Sequence, residues 1–158
     1  MSEPRALDAA AWSFLTTARS ATLATISPDG RPRLVPICFV LGSDAADRRP
    51  RLYSPLDDKP KTSDEPLALA RVRDLLVRPA ATLLVDRWSE DWDRLRWLRL
   101  DARGELLEPG IATTGEHATA VVALRAKYPQ YAGHRLEERP ILRFTVERAV
   151  AWGSLDDD

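Results

Sequence analysis

Cysteine and histidine are nearly missing from these 158 residues: Cys38 stands alone, and His117 and His134 are the only imidazoles. One cysteine excludes an internal disulfide, and flanked by Val35-Pro36-Ile37 and Phe39-Val40-Leu41 it reads as a small buried hydrophobe. A zinc centre of the Cys/His type lacks ligands. No serine sits in a G-x-S-x-G elbow, and both histidines fall in or just beyond a helical stretch, where a surface or capping role outweighs catalysis. Neither G-x-G-x-x-G nor G-x-x-x-x-G-K-[ST] occurs, so side chains must do much of the work of holding any phosphate. No apolar run approaches about 18 residues, and Glu3, Arg5 and Asp8 precede the first apolar residues. Neither a membrane span nor a signal peptide is expected, and the expected location is cytoplasmic. The formal net charge of -1, with acids and bases interleaved, offers no global field for nucleic acid or an anionic membrane. Lysine is scarce too, with Lys59, Lys61 and Lys127 the only copies among 23 basic residues.

What remains is a 44% hydrophobic chain, enough for one well-filled core and a single domain spanning residues 1–158, with an ordered part from about 8 to 152. Asp8 is placed to cap a helix over residues 9–18 that turns Ala11, Trp12, Leu15 and Ala18 inward. Residues 21–26 and 33–41 read as strands joined by Ser27-Pro28-Asp29-Gly30, with Pro28 presetting the first corner and Gly30 free to take positive φ. The second strand is apolar at nearly every position, which predicts that both faces are covered, the outer one by another subunit. Pro36 within it cannot donate to a ladder and marks a bulge or an edge.

A strand over residues 51–54 follows, then a helix from 67 to 77 opened by Thr62-Ser63-Asp64-Glu65-Pro66, with Leu69, Val72, Leu75 and Leu76 buried. Strands over 81–85 and 95–106 flank a hairpin carrying Trp88, Trp92 and Trp97. Thr113 and Glu116 have capping-box spacing and open a helix, one face of which carries His117, Val121, Leu124 and Tyr128. The last strand, 141–148, alternates and runs toward Trp152. Six strands with irregularly inserted helices and short hairpins give an α+β class, mainly β, built as an antiparallel barrel.

The segment "SPLDDKPK" concentrates two of the three lysines. Lys59 and Lys61, two apart, project to the same side of an extended chain, and a phosphate contact near 4 Å at an effective dielectric near 20 is worth about 4 kcal/mol before desolvation. Taken locally, Asp57, Asp58 and Asp64 neutralise the same lysines in a solvated loop worth at most about 1 kcal/mol. Trp88 is placed either to edge an aromatic ligand or to fill core, and Arg94, Arg96 and Arg99 around Trp97 either to reach an anion or to form a solvated strand face.

"ATLATISPDGRPRLVPICFVL", "LYSPLDDKPK", "LLVDRWSEDWDRLRWLRLDARGELL" and "ILRFTVERAVAWG", in that order, resemble the pyridoxamine 5'-phosphate oxidase-like split-barrel flavoproteins. More narrowly they resemble the actinobacterial, F-420-dependent flavin/deazaflavin oxidoreductase branch. The resemblance implies a six-stranded antiparallel split β-barrel, a homodimer with cofactor at the subunit interface, and a small-molecule substrate. It implies that Lys59 and Lys61 hold the cofactor phosphate, Arg33 its anionic tail, and Ser54, Pro36 and Trp88 the ring edge, with Ser89 beside Trp88. No residue is assigned as a catalytic acid or base. The expected activity is hydride transfer between reduced F-420 and a conjugated organic substrate. The alternatives are an FMN-dependent reductase or oxidase, and a carrier or sensor that binds F-420, FMN or haem without turnover. The resemblance does not extend to the additional C-terminal substrate-binding region of the vitamin-forming oxidases, so pyridoxamine phosphate oxidation is not the expected activity.

Overall fold

The computed structural model describes residues 7–42, 49–56, 69–110 and 115–156. Helix α1 (Ala9–Thr17) starts where the Asp8 carboxylate accepts the Ala11 N–H at 2.8 Å. Its inward stripe is Ala11, Phe14, Leu15 and Ala18, the i, i+3, i+4, i+7 spacing of one helix face. Phe14 therefore takes the place expected for Trp12. Strands β1 (Ala21–Ile26) and β2 (Pro32–Ile37) form the expected hairpin. Its turn is closed by Gly30 N–H donating to Ser27 O at 2.9 Å, with Gly30 at φ 87°.

The chain continues through β3 (Val40–Leu41), β4 (Arg51–Pro55), helix α2 (Ala70–Val77), β5 (Ala80–Arg87), β6 (Arg96–Leu107), helix α3 (Glu116–Lys127) and β7 (Ile141–Trp152). Among the described residues every pairing is antiparallel, in one seven-stranded sheet ordered β2-β1-β5-β6-β7-β4-β3. The two outermost strands, β2 and β3, are separated in sequence only by Cys38 and Phe39. A pair of residues spans at most about 7 Å, so the sheet must curl until its edges meet, which makes it a split barrel.

The second strand is thus two strands, not one, and the expected count of six becomes seven. Tyr128 and Lys127, at the end of α3, make the break. The Phe39 N–H donates to Tyr128 Oη at 3.1 Å, and the Phe39 carbonyl accepts from Lys127 Nζ at 2.9 Å. With its backbone groups taken by side chains, fully buried Phe39 leaves the ladder of β1 and redirects the chain to β4. Lys127 Nζ also lies 4.2 Å from the Phe39 ring centre, and burial lowers its pKa to about 8, with Arg19 adding to the effect.

The barrel interior holds Phe14, Leu15, Leu23, Phe39, Leu52, Leu56, Val72, Leu75, Leu83, Leu98, Leu100 and Phe144. A second cluster seats α3 on β3, β4 and β7 through Val40, Tyr53, Val121, Leu124, Tyr128 and Ile141. Cys38 is only partly buried and packs against that cluster. A bulge between Asp101 and Ala102 lets β7 bend away from the closed part of the barrel.

Two helix expectations need correction. The described part of α2 turns Val72, Asp74 and Leu75 inward and leaves Leu76 57% exposed, because an ion pair claims position 74. Residues 62–66, the expected cap, lie outside the described residues. Helix α3 has Gly115 at its N-cap, at φ 81°. Glu116 does not close a capping box: its carboxylate accepts from Tyr53 Oη at 2.6 Å and from Arg143 Nη1 at 2.7 Å. Thr113 lies outside the described residues. His117 is not on the helix surface but buried, its Nε2 2.6 Å from the carbonyl oxygen of Arg139.

Candidate functional site

Strand β1 alternates inward and outward, and its inward row, Ala21, Leu23 and Thr25, ends in a hydroxyl where an apolar side chain is the norm. That hydroxyl is matched. Thr25 Oγ1 donates to Asp74 Oδ2 at 2.8 Å, and Arg33 Nε on β2, directly opposite Thr25, donates to the same oxygen at 2.7 Å. The Asp74 side chain is 2% exposed and that of Arg33 40% exposed. A carboxylate so far from water needs a cation, and Arg33 supplies it through Nε alone. Its two terminal amino groups make no hydrogen bond among the described residues.

Arg33 opens on a cleft of about 460 Å³ at the β1–β2 turn, lined by Ser27, Pro28, Asp29, Arg31, Pro32 and Arg33. Asp29 is tied down inside the turn: Ser27 Oγ donates to its carboxylate, the Arg31 N–H donates to it at 3.3 Å, and Arg31 Nε lies 3.9 Å away. The Ser27 hydrogen bond and the Arg31 N–H hold its carboxyl below the usual aspartate range. The cleft therefore carries two guanidinium groups against one compensated carboxylate.

Ser54 is buried at the end of β4, opposite Leu142 of β7, which in turn faces Leu106 of β6. Its neighbour Tyr53 pairs with Val40 of β3, just past the corner at Phe39. Helix α2 packs on β1 and β6, so close that a Cβ on Gly104 would lie 2.9 Å from a Leu75 methyl. Leu56 and Leu69, which bracket the segment carrying Lys59 and Lys61, both join the barrel's apolar cluster. The two lysines themselves lie outside the described residues.

Pro36 sits on edge strand β2, as its missing donor requires, and faces outward, whereas Arg33 faces the other side of the same strand. Trp88 and Ser89 belong to the opposite end of the sheet. By the register of β1 with β2 and β5, Arg33 is level with Ala81, and seven further residues of extended chain carry Trp88 about 23 Å away. Trp88 is 68% exposed, its indole N–H donating to Glu90 at 3.2 Å, and Ser89 Oγ accepts the Asp91 N–H at 3.1 Å. Trp92 is 72% exposed, so the tryptophans do not fill core. Within one chain, Trp88 and Arg33 therefore stand apart along the sheet.

The outer face of β2, β1, β5 and β6 forms a shallow depression of about 500 Å³ lined by Thr22, Ala24, Leu34, Thr82, Leu84, Asp86, Trp97 and Arg99. Leu34 is 67% exposed and Trp152, beside Trp97, 51%. Arg99 stacks over Trp97 with its guanidinium carbon 5.6 Å from the ring centre, and Arg96 faces the interior instead. No cluster of metal-ligating side chains occurs among the described residues, nor any helix long and apolar enough to cross a membrane.

Sequence reasoning missed Asp74 and Thr25. A threonine in the inward register of β1, and an acid between Val72 and Leu75 on the packing side of a helix, were the available signals.

A comparison with curated proteins found no match. Among solved structures, the chain is similar to the conserved hypothetical protein Rv2991 from Mycobacterium tuberculosis, at 18% identity and a TM-score of 0.66, covering 97% of this chain and 88% of that one. It is similar to a FAD-binding protein, mll6688, from Mesorhizobium loti, at 20% identity and a TM-score of 0.59, covering 88% and 87%. It is also similar to an F-420 reductase, at 17% identity and a TM-score of 0.57, covering 87% and 94%. At these identities the likenesses establish the fold. The model of the pyridoxamine 5'-phosphate oxidase family matches residues 7–153, nearly the whole of the seven-stranded split barrel, and the chain belongs to that family.

Proposed function

We propose that the protein is an F-420-dependent oxidoreductase that reduces a conjugated organic substrate. The observation that carries this reading is the cleft at the β1–β2 turn, where Arg33 and Arg31 stand together and Arg33 is fixed with its amino groups unengaged among the described residues. FMN and F-420 both present a phosphate, but the F-420 tail adds carboxylates, and arginines beyond the lysine-bearing segment suit that extra charge. The chemistry that this cofactor supplies when bound is hydride donation from its deazaflavin carbon.

The chain's own part is to bind, orient and exclude water. Lys59 and Lys61 are assigned to the phosphate, Arg33 to the anionic tail, and Ser54 and Pro36 to the ring edge. His117, committed to the Arg139 carbonyl, is not available as an acid, and the substrate's proton comes from water. The outer face around Leu34, Leu84 and Trp97 is assigned to a second copy of the chain. Trp88 and Ser89 then serve the cofactor from across that contact.

Separate fluorescence titrations with F-420 and FMN, followed by oxidation of the reduced cofactor with enones and quinones, test the reading. F-420 binding with turnover is expected. FMN binding alone would favour the flavin-dependent alternative, tight binding without turnover the carrier, and binding of neither would sink the proposal. The double substitution Lys59→Ala, Lys61→Ala is expected to weaken binding more at low salt than at high, and an unchanged affinity would return the segment to a solvated loop.

A further inference from the structure

An acid in the last turn of a helix opposes the helix dipole, and an acid buried to 2% exposure carries a desolvation cost as well. Asp74 has both handicaps on a face otherwise built from Val72 and Leu75, where a leucine would satisfy packing. What it does in return is specific. One oxygen accepts from Thr25 Oγ1 and Arg33 Nε, so the β1 hydroxyl fixes the carboxylate and the carboxylate fixes the guanidinium. Arginine offers five donors in a rigid plane. With the Nε–H consumed on the buried side, the end-on fork of one N–H from each terminal nitrogen is left, on a side chain 40% exposed.

Resting on the F-420 reading above, we propose that Asp74 is a positioning residue that holds Arg33 as a preset, two-pronged clamp for an oxyanion of the cofactor. A free arginine side chain loses rotamer freedom when a ligand immobilises it. Here that ordering is complete before the ligand arrives, so each oxyanion contact contributes more of its strength to affinity. Thr25 is the third member, since without it the carboxylate can rotate. The charged groups facing the clamp are Asp29 and Arg31 on the turn.

The test is a double-mutant cycle on the full-length protein with Asp74→Asn, Arg33→Gln and the pair, reading affinity for F-420 and FMN by fluorescence. Each single change is expected to weaken binding by about tenfold or more, and the pair no further than the worse single change. Losses that multiply, or an Asp74→Asn affinity within about twofold of the parent, would overturn the clamp. A deazaflavin phosphate lacking the glutamate tail separates the oxyanion sources: a loss confined to tailed cofactor assigns Arg33 to a carboxylate, and an equal loss to the phosphate.

Nitrogen NMR of the unmutated protein with inorganic phosphate needs no variant to fold. The Arg33 Nε–H is expected to stay slow to exchange and unmoved while the terminal amino signals shift, and an Nε–H exchanging like that of a free arginine would refute the clamp. If phosphate shifts those amino signals but neither cofactor binds, the functional reading falls and the clamp stands. If cofactor binds but the cycle is additive, the reverse holds. If neither cofactor nor phosphate reports on Arg33, both fall.

Discussion

Replacing Tyr128 with phenylalanine removes one oxygen from the corner where β2 hands over to β3. The ring stays seated: Tyr128 is 2% exposed and stacks edge-on against Tyr131 at 5.6 Å. The hydroxyl accepts the Phe39 N–H at 3.1 Å, and its own proton lies within reach of the carbonyls of Arg19 at 3.0 Å and Phe39 at 3.1 Å. The Phe39 carbonyl keeps Lys127 Nζ at 2.9 Å, and Arg19 is exposed, so its carbonyl is open to water. The Phe39 N–H alone is orphaned, on a residue with 0% exposure. A buried donor left without a partner costs about 2 kcal/mol. For a chain of this length that corresponds to a fall in Tm of about 4–8 °C, measured calorimetrically at fixed protein concentration because any self-association adds to apparent stability. Hydrogen exchange should localise the damage, with the Phe39 amide accelerated and amides in β5 and β6 unchanged. A Tm change below about 2 °C with Phe39 still protected would show that something other than the hydroxyl bends the strand.

Lys127 gives a pH signature. Its folded pKa of about 8 lies below the ordinary 10.5, so between those values the unfolded chain binds more protons and stability rises with pH. Below about pH 8 both states are protonated and the desolvation cost is fully present. Lys127→Met should flatten the slope of Tm between about pH 8 and 9.5, below the range where tyrosines ionise, and an identical slope in both proteins would count against the burial of the amine. Glu116→Gln removes the charge shared by Arg143 at 2.7 Å and Arg51 at 3.7 Å. At 22% exposure for Glu116, a loss of about 1–2 kcal/mol is expected in urea titrations, and no shift in midpoint would contradict the network. Leu34→Glu on the outer face should convert a particle of twice 17.7 kDa to a monomer by light scattering, and an unchanged mass would place the subunit contact elsewhere.

Much of the fold was legible because local chemistry and tertiary structure agree. Asp8 caps α1, Gly30 turns the first hairpin, and the alternation in the last strand sets its inward row. The break at Cys38 and Phe39 was not legible, since a continuous apolar run carries no mark of where its backbone partners change. Those partners, Tyr128 and Lys127, come from a helix some ninety residues on. Glu116 showed why spacing alone misleads: capping-box geometry was available locally, but two arginines and a tyrosine on the sheet competed for the same carboxylate. At the candidate site, Arg33 was found by its resemblance to a family position, while Asp74 was hidden by the habit of reading helix interiors as apolar. The burial and the pairing decide each other there, and neither is visible from the helix sequence alone.

The joining of both sheet edges by one short run of chain has a consequence for strand register. In an open sheet, an outer strand can slip along its neighbour at the cost of that one pairing. Here β2 and β3 are rigidly geared through Phe39, so a one-residue slip of β2 against β1 must drive an equal slip of β3 against β4. Because side-chain orientation repeats every second residue, that motion would turn Ile37 and Val40 out of two different apolar clusters at once and pull Arg33 off Asp74. The corner therefore acts as a register lock for the whole barrel, and the placement of the anion cleft inherits its precision from a junction at the other end of the same strand.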